Sequence, residues 1–323
     1  MQKKAAGRFR TLVILTLAAV YFLLLLGGLS RSAGAGMGCP DWPRCFGLDK
    51  LPTAESELPA DYKERYADRA YDSLEFNAHK TGLEYINRWV GAGIGVLVFL
   101  VLLFALPFLK TNPPAFYLSL AAFLLVGFQG WLGVKVVDPG LMPVVVAVHM
   151  VVTLAIVAVL LVSLQRVNQI KKLSGFASLN SGLMILMWVA LLVSVVQIVL
   201  GVQVREEIDN LALRLGYENR RFWVAGLGNW FLIHRLTALV IVVLNGWLFF
   251  KLRGVFSMEM KKLGNGIGLV VFLTILSGYA MAWFGIPAFV QPLHLLLPCV
   301  LFGLQVQLLL RYRSLTKGRV AVA

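Results

Sequence analysis

Three of the four histidines, His149, His234 and His294, lie a few residues inside apolar segments long enough to cross a membrane. A fourth comparable slot is filled by Asn87. Imidazoles inside a bilayer are rare and costly, which marks them as candidate binding or chemical groups. Two neutral imidazoles on facing helices of a four-helix bundle are a common way to hold a heme iron axially. His234 and His294 form one such pair, and His149 with Asn87 forms a second pair that lacks one ligand. The alternative for each histidine is polar glue between helices. Glu84 lies three residues before Asn87, on the same helical face, whereas the matching position before His234 is Phe231. A carboxylate at the mouth of a membrane cavity is a candidate proton donor or acceptor for oxidation chemistry. Its alternative is an interfacial residue that faces water.

The elements that must position these groups follow from composition. The chain has 323 residues, of which 59% are hydrophobic and 14% charged, with a mean hydropathy of +0.79. That balance excludes a soluble globular domain and predicts an all-α integral membrane protein. Eight apolar runs approach the roughly 20 residues needed to span hydrocarbon; they fall near 11–29, 84–109, 115–136, 144–165, 181–203, 230–250, 265–284 and 291–310. The first is longer than the roughly 7–15 apolar residues of a signal peptide and reads as a retained helix. Basic residues gather at the N-terminus (Lys3, Lys4, Arg8, Arg10), after the fourth span (Arg166, Lys171, Lys172), after the sixth (Lys251, Arg253, Lys261, Lys262) and in the C-terminal tail (Arg311, Arg313, Lys317, Arg319). Both termini are therefore expected in the cytoplasm of a bacterial cell, with the protein in the inner membrane. Of the acids, Glu259 alone falls on the inner side. The net charge of +14 thus reflects topology, and no basic soluble domain supports nucleic-acid binding.

A repeat runs through the chain. Ile86-Asn87-Arg88 matches Ile233-His234-Arg235. Gly133 precedes His149 by sixteen residues, as Gly278 precedes His294. Gly27 lies four residues before Arg31, as Gly201 does before Arg205. The expectation is two four-helix bundles, 1–175 and 176–323, related by a pseudo-two-fold along the membrane normal. Each half then presents one facing pair, about 5–8 Å below the outer ends of its helices. The main insertion is the outer loop 30–83, with a second sizeable outer loop at 204–229.

Arg88 and Arg235 directly follow two of the slots, where planar guanidinium groups could meet heme propionates; equally, they could snorkel to the interface. Cys39 and Cys45 lie in the outer loop, where a disulfide is expected, either as a staple or as an electron-exchanging pair. Cys299 reads as a buried small hydrophobe. Zinc and copper are disfavoured because the cysteines are not grouped with the histidines.

At these residues the chain resembles the heme A synthase family. Gly38-Cys39-Pro40-Asp41-Trp42-Pro43-Arg44-Cys45-Phe46-Gly47 is similar to that family's first-loop signature, and Glu84-Tyr85-Ile86-Asn87-Arg88 resembles its Glu-Tyr-Ile-His-Arg. Gly201 to Asp209, Ile233-His234-Arg235 and Gln291-Pro292-Leu293-His294 also fall where the family has similar segments. The resemblance implies an eight-helix oxidoreductase that converts the C8 methyl of heme O to a formyl group by successive hydroxylation, supplying heme A for cytochrome oxidase assembly. It implies heme b on His234 and His294, substrate heme O in the first half on His149 and the Asn87 slot, and Glu84 as a residue important for activity. Implied partners are a heme O synthase, cytochrome oxidase assembly proteins and a membrane electron acceptor, with a homo-oligomer left open. Asn87 departs from the pattern, since most members carry histidine there. His79, eight residues upstream, replaces that ligand only if the chain before Glu84 folds back; otherwise it is a surface or propionate-contacting histidine. The competing readings are a b-type heme protein exchanging electrons with quinone and a non-catalytic heme-handling factor.

Overall fold

The computed structural model describes residues 2–35, 38–67, 75–136, 143–167, 181–255 and 258–320. The expected boundary between the halves, at 175/176, lies outside the described residues. Among them, regular structure is helical apart from an isolated bridge between Cys45 and Leu48. Eight helices are long and apolar enough to cross a membrane. These are α1 (Gln2–Ser32), α3 (Ala78–Ala105), α4 (Pro113–Val136), α5 (Pro143–Val167), α6 (Ser181–Leu215), α7 (Asn229–Val255), α8 (Met258–Trp283) and α9 (Val290–Val320). Among the described residues one short α-helix, α2 (Tyr62–Arg65), lies in the loop between α1 and α3. The sequence expectation of eight spans is met.

Several helices run beyond their expected apolar runs, and two of these boundaries matter for the site. α3 begins at Ala78 because the Asn77 side chain accepts a hydrogen bond from the Lys80 N–H at 3.1 Å and caps its first turn. The helix is therefore continuous through His79 and Glu84 to Asn87. α6 continues past the apolar run to Leu215, so the segment leading to α7 starts as helix. An Arg205–Asp209 ion pair at 2.6 Å, one turn apart, supports this extension.

The helices pack as two rings of four. In the first, α1 lies beside α3, α3 beside α4, α4 beside α5, and α5 beside α1. In the second, α6 lies beside α7, α7 beside α8, α8 beside α9, and α9 beside α6. The rings meet where α1 packs on α9 and α5 packs on α6 and α9. Phe9, Val98, Leu160, Leu248 and Leu308 are fully buried in the shared apolar core, while Leu124 and Val243 lie outside it, 63% and 67% exposed. Outward apolar side chains carry no cost in lipid, so burial here comes from helix packing. Buried hydrogen bonds add to it, as from Gln305 to Asn245 at 2.9 Å between α9 and α7.

A polar lattice joins the rings where α1 ends. Arg31 donates to Asp209 through Nε at 3.1 Å and Nη2 at 2.8 Å. Arg205 donates to the other Asp209 oxygen at 2.6 Å, to the Arg31 carbonyl at 3.1 Å, and to Gln291 Oε1. One carboxylate thus holds two arginines that the sequence repeat pairs with each other. The side chains of Arg31 and Asp209 are each 27% exposed, so solvent screens the pair only in part. Asp209→Ala is expected to lower stability by about 1–3 kcal/mol, seen as a lower thermal midpoint in detergent. An unchanged midpoint would contradict the bridging role.

Candidate functional site

Each of the four slots faces a glycine on the helix beside it. A Cβ placed on Gly27 would lie 3.7 Å from Asn87 Oδ1, and one on Gly133 would lie 3.9 Å from His149 Cε1. The corresponding distances are 3.4 Å from Gly201 to His234 Cε1 and 3.0 Å from Gly278 to His294 Cε1. An imidazole between closely packed helices needs room that only a small residue leaves. At Gly278 the fit is tightest, because any side chain there would press on the His294 ring. The four glycines that define the sequence repeat are therefore the residues that seat the four slot side chains.

In the second ring, α7 and α9 stand diagonally, and their histidines meet at its centre. The rings of His234 and His294 have centroids 6.3 Å apart, at 66° to one another. Two imidazoles sharing one metal ion, each through a nitrogen about 2 Å from it, have centres about 6 Å apart. Ser277 Oγ lies 2.8 Å from His294 Nδ1. That contact holds the His294 ring in place through one of its nitrogens. The His234 Nδ1 is buried without a partner, and its Nε2 lies 3.3 Å from the Gln197 amide nitrogen. Among the described residues no three or more of His, Cys, Asp and Glu come together as a metal cage. The two imidazoles stand together as a pair.

The first ring carries Asn87 on α3 and His149 on α5 at the corresponding positions, each against a glycine. His149 on α5 has a buried Nδ1 without a partner, and the Asn87 Oδ1 on α3 is likewise buried and unpartnered. His79 is not brought to the slot. It stands in the first turn of a continuous helix, exposed to solvent, and eight residues of α-helix separate it from Asn87 by about 12 Å. The fold-back that would have made His79 a ligand does not occur.

Two residues that the sequence reading passed over support the histidine helices. Gln129 donates to the His149 carbonyl at 3.0 Å and to Thr153 Oγ1 at 2.6 Å. Gln197 donates to the His234 carbonyl at 3.0 Å. Each glutamine sits four residues before a slot glycine, Gly133 or Gly201. That shared Gln-x-x-x-Gly spacing inside two apolar runs was the available signal.

Glu84 is buried, 3% exposed, beneath the loop that joins α1 to α3. One of its oxygens accepts from the backbone N–H of Gly38 and from that of Cys39, the latter at 3.2 Å; the other is paired with Arg88. Arg88 also donates to the carbonyls of Asp41 and Cys39, each at 2.8 Å. The guanidinium is therefore occupied by the loop. The loop presses closely on α3: a Cβ on Gly38 would lie 2.8 Å from the Lys80 carbonyl oxygen. Cys39 and Cys45 form a buried disulfide, packed with Phe46, Leu58 and Tyr62. Burial and the Asp41 carboxylate beside it raise the Tyr66 phenol above its ordinary range. In the second ring the same helical spacing holds Arg235 over the Phe231 ring at 5.6 Å, with Arg235 exposed. Thus an ion pair in one half is matched by a cation–π contact in the other.

Eight apolar helices arranged around buried histidines define a multi-pass helical membrane protein. Comparison with known proteins narrows the class. Residues 10–306 match the model of the COX15-CtaA family, described as cytochrome oxidase assembly protein, and the chain belongs to that family. Among curated relatives, it is 33% identical over 190 residues to the heme A synthase of Shewanella oneidensis, covering 59% of this chain and 54% of that protein. It is 30% identical over 143 residues to the heme A synthase of Alkalihalophilus pseudofirmus, covering 44% of this chain and 40% of that protein. With the heme A synthase of Shouchella clausii the identity is 27% over 145 residues, or 43% and 39% of the two chains. The chain thus spans about half or less of the length of these relatives.

If Glu84 seats the loop, Glu84→Ala frees the Gly38 and Cys39 amides and the Arg88 charge together. Hydrogen bonds to charged groups contribute about 1.5–3 kcal/mol, so local opening should rise roughly tenfold or more. Reduction of the Cys39–Cys45 bond by a water-soluble thiol is expected to accelerate by that factor in Glu84→Ala. Equal reduction rates in variant and parent would show that the loop is held by other contacts.

Proposed function

We propose that this protein is a heme A synthase-type oxidoreductase, converting the C8 methyl of heme O to the formyl of heme A by successive hydroxylation. The observation that carries the reading is the His234–His294 pair at the centre of the second ring, joined to the identities with heme A synthases. In this reading the two rings are pseudo-two-fold-related halves, 1–175 and 176–323, in a bacterial inner membrane with both termini cytoplasmic.

His234 and His294 would hold heme b through their imidazole nitrogens. Their ring separation, the Ser277 contact on one ring and the uncommitted Nδ1 of the other all suit that role. When bound, heme b would supply one-electron transfer to a membrane acceptor. His149 would hold the iron of substrate heme O in the first half. Arg235, exposed near the outer end of α7, is free to meet a propionate, whereas Arg88 serves the loop and Glu84. The conversion of methyl to formyl takes oxygen from water and releases four electrons and four protons. Glu84 lies one turn from Asn87 and is the group proposed to take up protons; its loop contacts fix where the carboxylate stands. The apolar walls of the ring exclude bulk water from the substrate. A heme O synthase and oxidase assembly proteins are the expected supply and delivery partners.

Co-expression with a heme O synthase, followed by extraction and mass analysis, tests the reading. Heme A is the expected product. Only heme O, recovered with a folded protein that has its low-spin heme b, would contradict it. His234→Ala or His294→Ala should abolish the low-spin heme b spectrum, and Gly278→Leu should lower heme b content at least severalfold by displacing the His294 ring. An undisturbed spectrum in any of the three would remove the assignment of the pair.

A further inference from the structure

The two rings differ in one slot, and that slot is otherwise built for an imidazole. Gly27 leaves the same kind of space opposite Asn87 that Gly201 leaves opposite His234. What fills the space is a carboxamide, shorter than an imidazole and a poor iron ligand. Its Oδ1 is buried without a partner, and a buried amide acceptor without a donor costs free energy that binding can recover. Among the described residues, the candidates nearby do not supply a second ligand. His79 is exposed about two turns away along α3. Arg88 is engaged by the first loop and Glu84, and both oxygens of Glu84 already accept hydrogen bonds. Cys39 and Cys45 are joined in a disulfide, and Cys299 is buried in α9, where its thiol donates to the Leu295 carbonyl.

We infer that Asn87 makes the first ring a one-histidine site, in which His149 is the single protein ligand to the substrate iron and the Asn87 carboxamide accepts a hydrogen bond from water on the opposite face. This inference rests on the proposed function and sharpens it. The two rings would then hold iron in different coordination: a closed pair in the second and an open position in the first. Asn87 sets that difference, which makes it a specificity-determining residue for what approaches the substrate iron. The open face is lined by a neutral acceptor, so a small polar molecule that can donate a hydrogen bond is the chemical class it takes.

The test uses the full chain in detergent, loaded with ferric heme O, and reads spin state by electron paramagnetic resonance and optical spectra. The parent protein should show one low-spin heme and one high-spin heme, and added imidazole should convert the high-spin signal to low-spin. Asn87→His should lose the high-spin signal at least tenfold without added imidazole, at equal heme content. The low-spin signal from His234 and His294 reports that the variant is folded. Asn87→Ala should stay high-spin and imidazole-responsive, since the carboxamide is not itself the iron ligand. A parent protein with two low-spin hemes overturns the inference. So does an Asn87→His protein that keeps its high-spin heme, or an Asn87→Ala protein that turns low-spin. Two low-spin hemes in a protein that still makes heme A would overturn this inference alone. A high-spin first site in a protein that makes no heme A would overturn the proposed function alone.

Discussion

A polar ring inside an apolar helix bundle needs space before it needs a partner, and in this protein the space comes from glycine. Gly27, Gly133, Gly201 and Gly278 each face one slot side chain across a helix–helix contact. Without them, the diagonal helices of each ring could not bring imidazoles toward the centre without parting their neighbours. The glutamines one turn before Gly133 and Gly201 then hold the backbone of the histidine helix through its carbonyl. Position is set by packing, and orientation by hydrogen bonds from the adjacent helix. Both devices suit a membrane interior, where helices associate through close packing and a few polar contacts.

The rings use the same frame for different ends. In the second, Ser277 fixes one histidine and the rings of both lie at the separation of an axial pair. In the first, one imidazole is replaced by a carboxamide, and the turn before it carries a buried carboxylate where the second ring has Phe231. That carboxylate is also the seat of the first loop, since it accepts from the backbone N–H groups of Gly38 and Cys39 and pairs with the arginine that holds the loop carbonyls. Order in the loop and the surroundings of the first slot thus meet at one residue. The Arg31–Asp209–Arg205 lattice keeps the two rings in register at the end where the slots lie.

The spans, the paired slots and the cysteine pair were legible because each leaves a local mark: a run of apolar residues, a repeated spacing, a short Cys-to-Cys interval. Contacts between distant segments left none. Glu84 reads from sequence as a carboxylate at a cavity mouth, yet its partners include Gly38 and Cys39, more than forty residues away. Arg88 reads as a propionate clamp by its place beside a slot, but the loop carbonyls that occupy it are equally remote. Apolar runs do not mark helix ends where polar side chains prolong a helix, as Asn77 does for α3 and the Arg205–Asp209 pair does for α6. The first of these extensions keeps His79 in line with the helix, two turns from the slot.

The central claim is that the four slots make two heme sites in one chain, one in each ring. Heme content per polypeptide, measured on purified protein saturated with heme O, tests it most directly. The account predicts two hemes per chain in the parent protein and one in His149→Ala, with the remaining heme low-spin. A single heme per chain in both proteins would contradict it.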